Sequence, residues 1–140
     1  MKDESTPRVI SVTGGIGVGK SFVLRKIREA GYPVYYADIR AKQLMEEDAE
    51  LREAIEVEFG KAAYTAQGNL NRSYIASIIF SSPEKRKALN ALVHPKTISD
   101  FTKWAKQKGQ EGHKVVFKEA ALTLEANALQ ADMTLVVVYA

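Results

Sequence analysis

Short apolar runs alternate with longer amphipathic stretches along this 140-residue chain. The runs are short and rich in β-branched or aromatic residues, and the last two are interpreted as continuously apolar, as is typical of buried strands in a parallel sheet. They are Val9–Val12, Pro33–Tyr36, Lys114–Glu119 and Thr134–Tyr139. After the first run, Val23, Ile27 and Ala30 repeat at helical spacing, and Gly31 ends that pattern. Because a helix supplies the crossover between parallel strands, the pattern predicts an α/β fold with a parallel sheet flanked by helices.

Residues 39–59 are predicted to form one or two helices with a single apolar face. That face carries Leu44, Leu51, Ile55 and Phe59, and the acidic residues around it are interpreted as solvated surface. Residues 60–70 are rich in Gly, Asn and Gln, so they are predicted to form a loop.

A helical insertion of about residues 60–110 is predicted from three further signals. Asn69 or Asn71 can cap one helix, and Ser82-Pro83 is typical of the start of a second. We expect the second helix to end at His94-Pro95, because proline biases the residue before it away from helical conformation. A third helix is then predicted from about Lys96 to Lys108, with Trp104 in the core.

Composition favours one soluble globular domain over residues 1–140, with 46% of residues hydrophobic and 26% charged. The net charge is +3, and its basic excess lies in the second half of the chain. This excess suits an anionic small molecule and is too sparse for a nucleic-acid binder. The sequence contains no cysteine and no apolar stretch as long as a membrane span. We therefore predict a cytoplasmic protein with neither nucleic-acid nor membrane partners.

The first apolar run leads directly into a glycine-rich motif. Gly14, Gly19, Lys20 and Ser21 fill the pattern G-x-x-x-x-G-K-[ST] of a phosphate-binding loop. Backbone N–H groups at such a turn, together with the N-terminus of the following helix, can surround a phosphate. Lys20 can reach the β- and γ-phosphates of ATP, and the Ser21 hydroxyl can bind Mg²⁺. The predicted ATP-binding residues are Gly14, Gly15, Ile16, Gly17, Val18, Gly19, Lys20, Ser21 and Phe22.

Two carboxylates follow predicted strands. Asp38 comes just after Pro33–Tyr36, and Glu119 ends Lys114–Glu119. Ligands bind at the carboxyl ends of the strands in an open α/β sheet, so both should face the crevice of the phosphate loop. Asp38 is the candidate catalytic carboxylate, with a helix N-cap as the alternative. Glu119 is a candidate Mg²⁺ ligand, with an ordinary charge at a strand end as the alternative.

Two basic or titratable residues of the insertion are candidate substrate ligands. Arg72 lies on the first turn of a predicted helix, where a cation opposes the helix dipole, although a lone exposed arginine is commonly plain surface. His94 precedes Pro95 and is either a structural ring or a donor to substrate phosphates.

Taken together, the motifs resemble those of the dephospho-CoA kinase family along the whole chain. The matching segments are Thr13–Ser21, Tyr36–Ile39, Gly68–Arg72 with Ile79-Phe80, and Leu89–Pro95. The resemblance implies transfer of the ATP γ-phosphoryl group to the 3′-hydroxyl of dephospho-CoA, the last step of coenzyme A biosynthesis. It also implies that Asp38 and Lys20 are catalytic, that Asp38, Arg72 and His94 bind the substrate, and that ATP and Mg²⁺ are required.

The chain departs from the family pattern at three points. Tyr36 replaces the first aspartate of the usual Asp-Ala-Asp motif, and Thr123 stands where leucine is usual. A buried threonine hydroxyl would need a hydrogen-bond partner. Family members also continue beyond Ala140 with an arginine-bearing lid and a C-terminal helix. We therefore expect this chain to be a truncated form that lacks the C-terminal third and has reduced turnover.

Two other functions are compatible with the same motifs. One is a different small-molecule or nucleoside-monophosphate kinase on the same scaffold. The other is a non-catalytic nucleotide-binding protein, which would bind ATP without releasing ADP in response to an acceptor.

Overall fold

The computed structural model describes residues 6–14, 19–119 and 133–137, and for residues 133–137 it describes the backbone alone. The chain divides into two compact units, one formed by the residues up to Asp38 with those from Phe101 onward, and the other by Ile39–Asp100. The helices and strands are β1 Arg8–Gly14, α1 Lys20–Glu29, β2 Val34–Tyr35, α2 Ala37–Glu47, α3 Ala49–Phe59, α4 Arg72–Ser81, α5 Pro83–Gln110, β3 Val115–Glu119 and β4 Met133–Val137.

The first unit contains a four-stranded sheet in the order β2-β3-β1-β4, and every pair of neighbouring strands is parallel. This arrangement confirms the predicted parallel sheet. Strand β1 is central: Val12 pairs with Glu119 of β3, and Gly14 pairs with Val137 of β4. The carboxyl ends of parallel strands share one edge of a sheet. That edge therefore carries both the start of the phosphate-loop motif and the carboxylate that ends β3.

Aromatic side chains form much of the core of the first unit. Val9, Tyr35 and Val116 of the strands pack against Phe101 of α5, and the partly buried Trp104 packs on the same cluster, as predicted. The Tyr35 ring meets the rings of Phe101 and Trp104 edge to face, at centroid distances of 5.0 and 5.3 Å. Such pairs add about 0.5–1.5 kcal/mol each beyond the burial of apolar area. The aromatic contacts therefore hold α5 against the short strand β2.

Helix α1 ends at the predicted position. Gly31 has a φ of +99°, which places it in the left-handed region that favours glycine. Its N–H donates to the Arg28 carbonyl, and the Tyr32 N–H donates to the Ile27 carbonyl at 3.3 Å. These bonds satisfy carbonyls of the last turn of the helix and turn the chain toward β2.

The second unit has its own apolar core, which includes the predicted face of residues 39–59. Its buried residues are Leu44, Leu51, Ile55, Phe59, Ala63, Tyr64, Leu70, Ile75 and Leu89. Residues 39–59 form two helices, and Asp48 between them caps α3 by accepting the Leu51 N–H at 2.9 Å. Asn71, rather than Asn69, caps α4 by accepting the Tyr74 N–H at 3.3 Å.

Helix α5 contradicts the prediction that a helix ends at His94-Pro95. It begins at Pro83, as Ser82-Pro83 indicated, but runs unbroken to Gln110 with Pro95 in its interior. An interior proline costs about 3 kcal/mol, because it removes a backbone hydrogen bond and crowds the preceding turn. Leu89 before it and Phe101 after it are both buried, and burial of each such side chain contributes about 1.5–3 kcal/mol. Packing along the helix therefore outweighs the local effect of the proline.

Residues 60–70 are more ordered than the predicted loop. They contain a 3₁₀ turn, Lys61–Ala63, and Tyr64 forms an antiparallel bridge with Leu70. The Arg52 guanidinium lies 4.4 Å from the centroid of the Tyr64 ring and donates to the Gly68 carbonyl at 2.7 Å. The Tyr64 hydroxyl donates to the Met45 carbonyl at 2.6 Å, and burial raises the pKa of Tyr64 to about 12. Contacts from α2 and α3 thus hold this segment in place.

Candidate functional site

The glycine-rich motif joins the end of β1 to the start of α1. Gly14 is the last residue of β1, and Gly19 is the N-cap of α1 with a φ of +92°, a conformation that favours glycine. Because Gly19 has no side chain, the first-turn N–H groups of α1 receive no bond from an N-cap side chain. A helix N-terminus in this condition favours an anion. Gly15, Ile16, Gly17 and Val18, the predicted centre of the loop, lie outside the described residues.

The first turn of α1 carries the other predicted phosphate-loop residues. Lys20 and Ser21 open the helix, with Lys20 half-buried and Ser21 exposed. The first turn contains no acidic residue. The Phe22 ring is 54% exposed, and the cations of Arg25 and Lys26 each lie 5.5 Å from its centroid. Two cations thus lie near this exposed ring, and Lys26 also pairs with Glu29 at 3.5 Å.

The structure brings the two acidic candidate residues, Asp38 and Glu119, together. Asp38 lies in the first turn of α2, immediately after β2, and its N–H donates to Glu119 Oε1 at 3.3 Å. Glu119 pairs with Val12 of β1, two residues before Gly14. The Asp38 side chain is exposed, and α2 begins at Ala37, so Asp38 is not the N-cap that the alternative interpretation required. The Glu119 carboxylate and the backbone of Asp38 are therefore near the sheet edge where the phosphate loop begins.

The two substrate candidates of the insertion belong to the second unit. Arg72 is exposed on the first turn of α4 and lines a cavity of about 270 Å³. His94 lies inside α5 rather than at the predicted helix boundary. Its Nε2 atom is buried, and it has no hydrogen-bond partner among the described residues. The Thr97 hydroxyl donates to the His94 carbonyl at 2.8 Å.

Sequence reasoning missed a buried lysine beside the candidate site. Lys118 precedes Glu119 in β3 and is 4% exposed, and burial lowers the pKa of its ammonium group. Its Nζ lies 4.5 Å from the centroid of the Phe101 ring. The signal available in the sequence was a lysine inside an otherwise apolar strand. Reading Lys114–Glu119 as continuously apolar concealed it.

Ser21 and Glu119 carry oxygen atoms of the kind that binds Mg²⁺ together with a nucleotide. Among residues 6–14, 19–119 and 133–137, no three His, Asp or Glu side chains come together as a metal-binding group. Mg²⁺ at such sites is usually held by one or two carboxylates, with phosphate oxygens and water as its other ligands. The Glu119 carboxylate and the Ser21 hydroxyl are side-chain oxygen donors of this kind.

In the described part of the chain, no helix has both the length and the hydropathy needed to cross a membrane.

The parallel sheet, with the G-x-x-x-x-G-K-S motif between its central strand and the next helix, defines a phosphate-loop α/β protein. The family model described as dephospho-CoA kinase matches residues 8–140. A dephospho-CoA kinase of Chlorobaculum tepidum is 43% identical over 138 residues, which cover 96% of this chain and 66% of the relative. One of Salinibacter ruber is 41% identical over 130 residues, covering 92% of this chain and 65% of the relative. The chain belongs to the dephospho-CoA kinase family.

Solved structures share the fold of this chain. The crystal structure of TT1252 from Thermus thermophilus matches with a TM-score of 0.78 and 33% identity, covering 94% of this chain and 65% of that one. The dephospho-CoA kinase from Campylobacter jejuni shares the fold with a TM-score of 0.68, at 23% identity. The chain thus spans about two thirds of the length of the relatives that it matches.

Proposed function

We propose that this chain transfers the γ-phosphoryl group of ATP to the 3′-hydroxyl of the ribose of dephospho-CoA, giving coenzyme A and ADP. The observation that carries the proposal is the hydrogen bond from the Asp38 N–H to Glu119 Oε1 at the sheet edge where the phosphate loop begins. Phosphoryl transfer requires a phosphate-binding loop, oxygen ligands for a metal ion and a carboxylate on the acceptor side. We propose that the residues at this edge supply all three, and family membership supports the particular substrates.

The phosphate loop binds the nucleotide in this proposal. Lys20 supplies a cation for the β- and γ-phosphates, and the N–H groups of the loop and of the first turn of α1 donate to phosphate oxygens. Gly15, Ile16, Gly17 and Val18 take part through their backbone. Gly19, with its φ of +92°, lets the chain enter α1 without a side chain at the phosphate site.

Asp38 acts on the acceptor. Its carboxylate aligns the 3′-hydroxyl and accepts its proton while the hydroxyl oxygen bonds to the γ-phosphorus. The bond between that phosphorus and the oxygen shared with the β-phosphate breaks, and ADP leaves. Because the transition state of phosphoryl transfer is loose, alignment is the larger part of the role of Asp38. Arg72 and His94 are proposed to contact the acceptor.

Two residues are proposed to hold the metal ion. The Ser21 hydroxyl and the Glu119 carboxylate would bind Mg²⁺, which when bound neutralises charge on the phosphate oxygens. The Asp38 N–H donates to Glu119 Oε1 and so helps to orient that carboxylate.

A cytoplasmic location and the absence of nucleic-acid partners are predicted from the composition alone.

The proposal is tested by measuring the products of the reaction. The chain, and a version extended to the length of its relatives, are incubated with ATP and Mg²⁺, with and without dephospho-CoA. We expect ADP and coenzyme A to form in equal amounts only when dephospho-CoA is present. If ATP binds but neither protein releases ADP in response to dephospho-CoA, a non-catalytic nucleotide-binding role replaces the proposal. Phosphorylation of AMP or adenosine in preference to dephospho-CoA would indicate a different kinase.

A further inference from the structure

A cavity of about 320 Å³ lies in the first unit, beside β2, which is the end strand of the described sheet. Arg28 of this cavity follows Lys20 by eight residues in α1, a rise of about 12 Å, so the cavity is separate from the phosphate loop. The proposed function uses none of the residues that line it. They include Arg28, Tyr32, Val34, Tyr36, Trp104 and Lys108.

Aromatic side chains form much of the wall of this cavity. The Tyr32 ring meets the Phe117 ring edge to face, with 5.6 Å between the centroids. The Trp104 ring meets the Tyr35 ring in the same way at 5.3 Å. These contacts hold the rings of Tyr32 and Trp104 in position without a ligand. Fixed aromatic faces of this kind favour a planar ring, because nucleobases and similar groups stack on them.

Tyr36 adds a third ring at a position where the family pattern usually has an aspartate. The exchange of aspartate for tyrosine removes a negative charge from the wall and supplies another aromatic face. Within the described residues the Tyr36 hydroxyl makes no hydrogen bond, so it can donate one to a ligand. Neither the phosphate loop nor the acceptor side of the proposed reaction accounts for this residue.

Arg28 is the cation of the cavity that is available to a ligand. Lys108 also lines the cavity, but its Nζ lies 3.6 Å from Glu111 Oε1. Within the described part of the chain Arg28 makes no ion pair, since Glu29 beside it pairs with Lys26 at 3.5 Å. A guanidinium presents a planar fork of N–H donors that matches phosphate oxygens. The structural alternative is that Arg28, in the last turn of α1, only offsets the helix dipole.

We infer that this cavity binds a purine nucleoside monophosphate, with the base against the rings of Tyr36 and Trp104 and the phosphate at Arg28. Among the described residues no acid lines the cavity, so none repels the phosphate there. Pockets for small molecules measure about 300–1,000 Å³, and this cavity is at the lower end of that range, which suits a mononucleotide. A purine offers a larger stacking face than a pyrimidine. The site is a second nucleotide site, independent of the phosphate loop.

The test uses the fluorescence of Trp104, which is the only tryptophan of the chain and lines the cavity. The protein is titrated with AMP in the absence of Mg²⁺, with excitation at wavelengths that adenine does not absorb. We expect saturable quenching with a Kd below about 1 mM, because the base stacks near the indole. Adenosine, which lacks the phosphate, should bind about 10-fold more weakly or worse. CMP, with its smaller ring, should also bind more weakly.

Two variants test the two halves of the site. Tyr36→Leu removes a stacking ring and should weaken AMP binding by about 5-fold or more. Arg28→Gln removes the phosphate partner and should weaken it by about 10-fold or more. Arg25→Gln is the matched control, because Arg25 is an exposed arginine earlier on α1 and outside the cavity, and it should bind AMP like the parent. Lys20→Ala disables the phosphate loop and should leave the quenching unchanged.

Three results would overturn the inference. The first is the absence of saturable quenching by AMP in the parent. The second is quenching that disappears in Lys20→Ala and persists in Arg28→Gln, because AMP would then occupy the phosphate loop. The third is equal AMP affinity in the parent, Tyr36→Leu and Arg28→Gln, which would leave Arg28 with its role at the helix end alone. Circular dichroism checks that each variant is folded, and none of these results bears on the proposed phosphoryl transfer.

Discussion

Asp48 caps α3 and forms an ion pair with Lys96 of α5. Two different substitutions of Asp48 should separate the contributions of the helix cap and the ion pair to stability. Its Oδ1 atom accepts the Leu51 N–H at 2.9 Å as the N-cap of α3. The same atom lies 3.4 Å from Lys96 Nζ, which also lies 3.3 Å from Glu50 Oε1. Asp48→Ala removes both contacts, whereas Asp48→Asn keeps a capping oxygen and removes only the charge.

The expected loss of folding stability differs between the two variants. Loss of an N-cap costs about 1 kcal/mol, and loss of a partly exposed ion pair costs about 0.2–1 kcal/mol. Asp48→Ala should therefore lower the free energy of unfolding by about 1–2 kcal/mol, and Asp48→Asn by about 0.5 kcal/mol. Glu53→Gln is the matched control, because Glu53 is an exposed acid on the same helix, and it should change the free energy of unfolding by less than about 0.5 kcal/mol.

The effect of the charge should depend on pH. The hydrogen bond from the Leu51 N–H lowers the pKa of Asp48. Desolvation raises this pKa and the Lys96 ammonium group lowers it, so that the net effect is a lowered pKa. A carboxylate whose pKa is lower in the folded state stabilises that state above its unfolded pKa, about 3.9, and this stabilisation is lost as the pH falls through the folded pKa. The difference in stability between the parent and Asp48→Asn should therefore be constant above about pH 5 and decrease below about pH 4.

Urea unfolding followed by circular dichroism at several pH values measures these differences. The reasoning would be refuted if Asp48→Asn were as destabilising as Asp48→Ala, because the cap would then contribute nothing. A difference between the parent and Asp48→Asn that stayed unchanged as the pH fell from 5 to about 2 would show that the carboxylate does not titrate as argued.

Three further predictions concern the site. Lys20→Ala should strongly weaken ATP binding and abolish turnover, and unchanged ATP affinity in calorimetry would contradict the phosphate-loop assignment. Asp38→Asn should leave ATP affinity intact and slow phosphoryl transfer by about 100-fold or more, which near-normal rates of coenzyme A formation would disprove. His94→Gln should weaken dephospho-CoA more than ATP. A lower unfolding midpoint with unchanged acceptor affinity would instead assign the buried ring to the core.

Local chemistry made several features of this protein predictable from its sequence. Glycine is favoured at Gly19 and Gly31, where the φ angles are positive, and Gly31 marks the end of α1 as expected. The side chains of Asn71 and Ser82 accept hydrogen bonds from nearby backbone N–H groups, so the starts of α4 and α5 could also be predicted from the sequence. The phosphate-loop motif belongs to this group, because its residues are consecutive in the chain.

The tertiary structure decided what depends on residues far apart in the sequence. Alternation of strands and helices does not specify that β3 lies between β2 and β1, yet this order places Glu119 next to Asp38, 81 residues away along the chain. The continuity of α5 through Pro95 likewise depends on side chains that are buried on either side of it.

Lys42 and Arg72, which are basic residues of α2 and α4, are a further case. Each is an ordinary exposed basic residue on its own helix, and only the packing of the second unit makes both line one cavity. Local propensities amount to fractions of a kcal/mol per residue, whereas burial of one large apolar side chain contributes about 1.5–3 kcal/mol. The packing of distant segments therefore determines which charged groups meet, and the sequence near each residue does not reveal it.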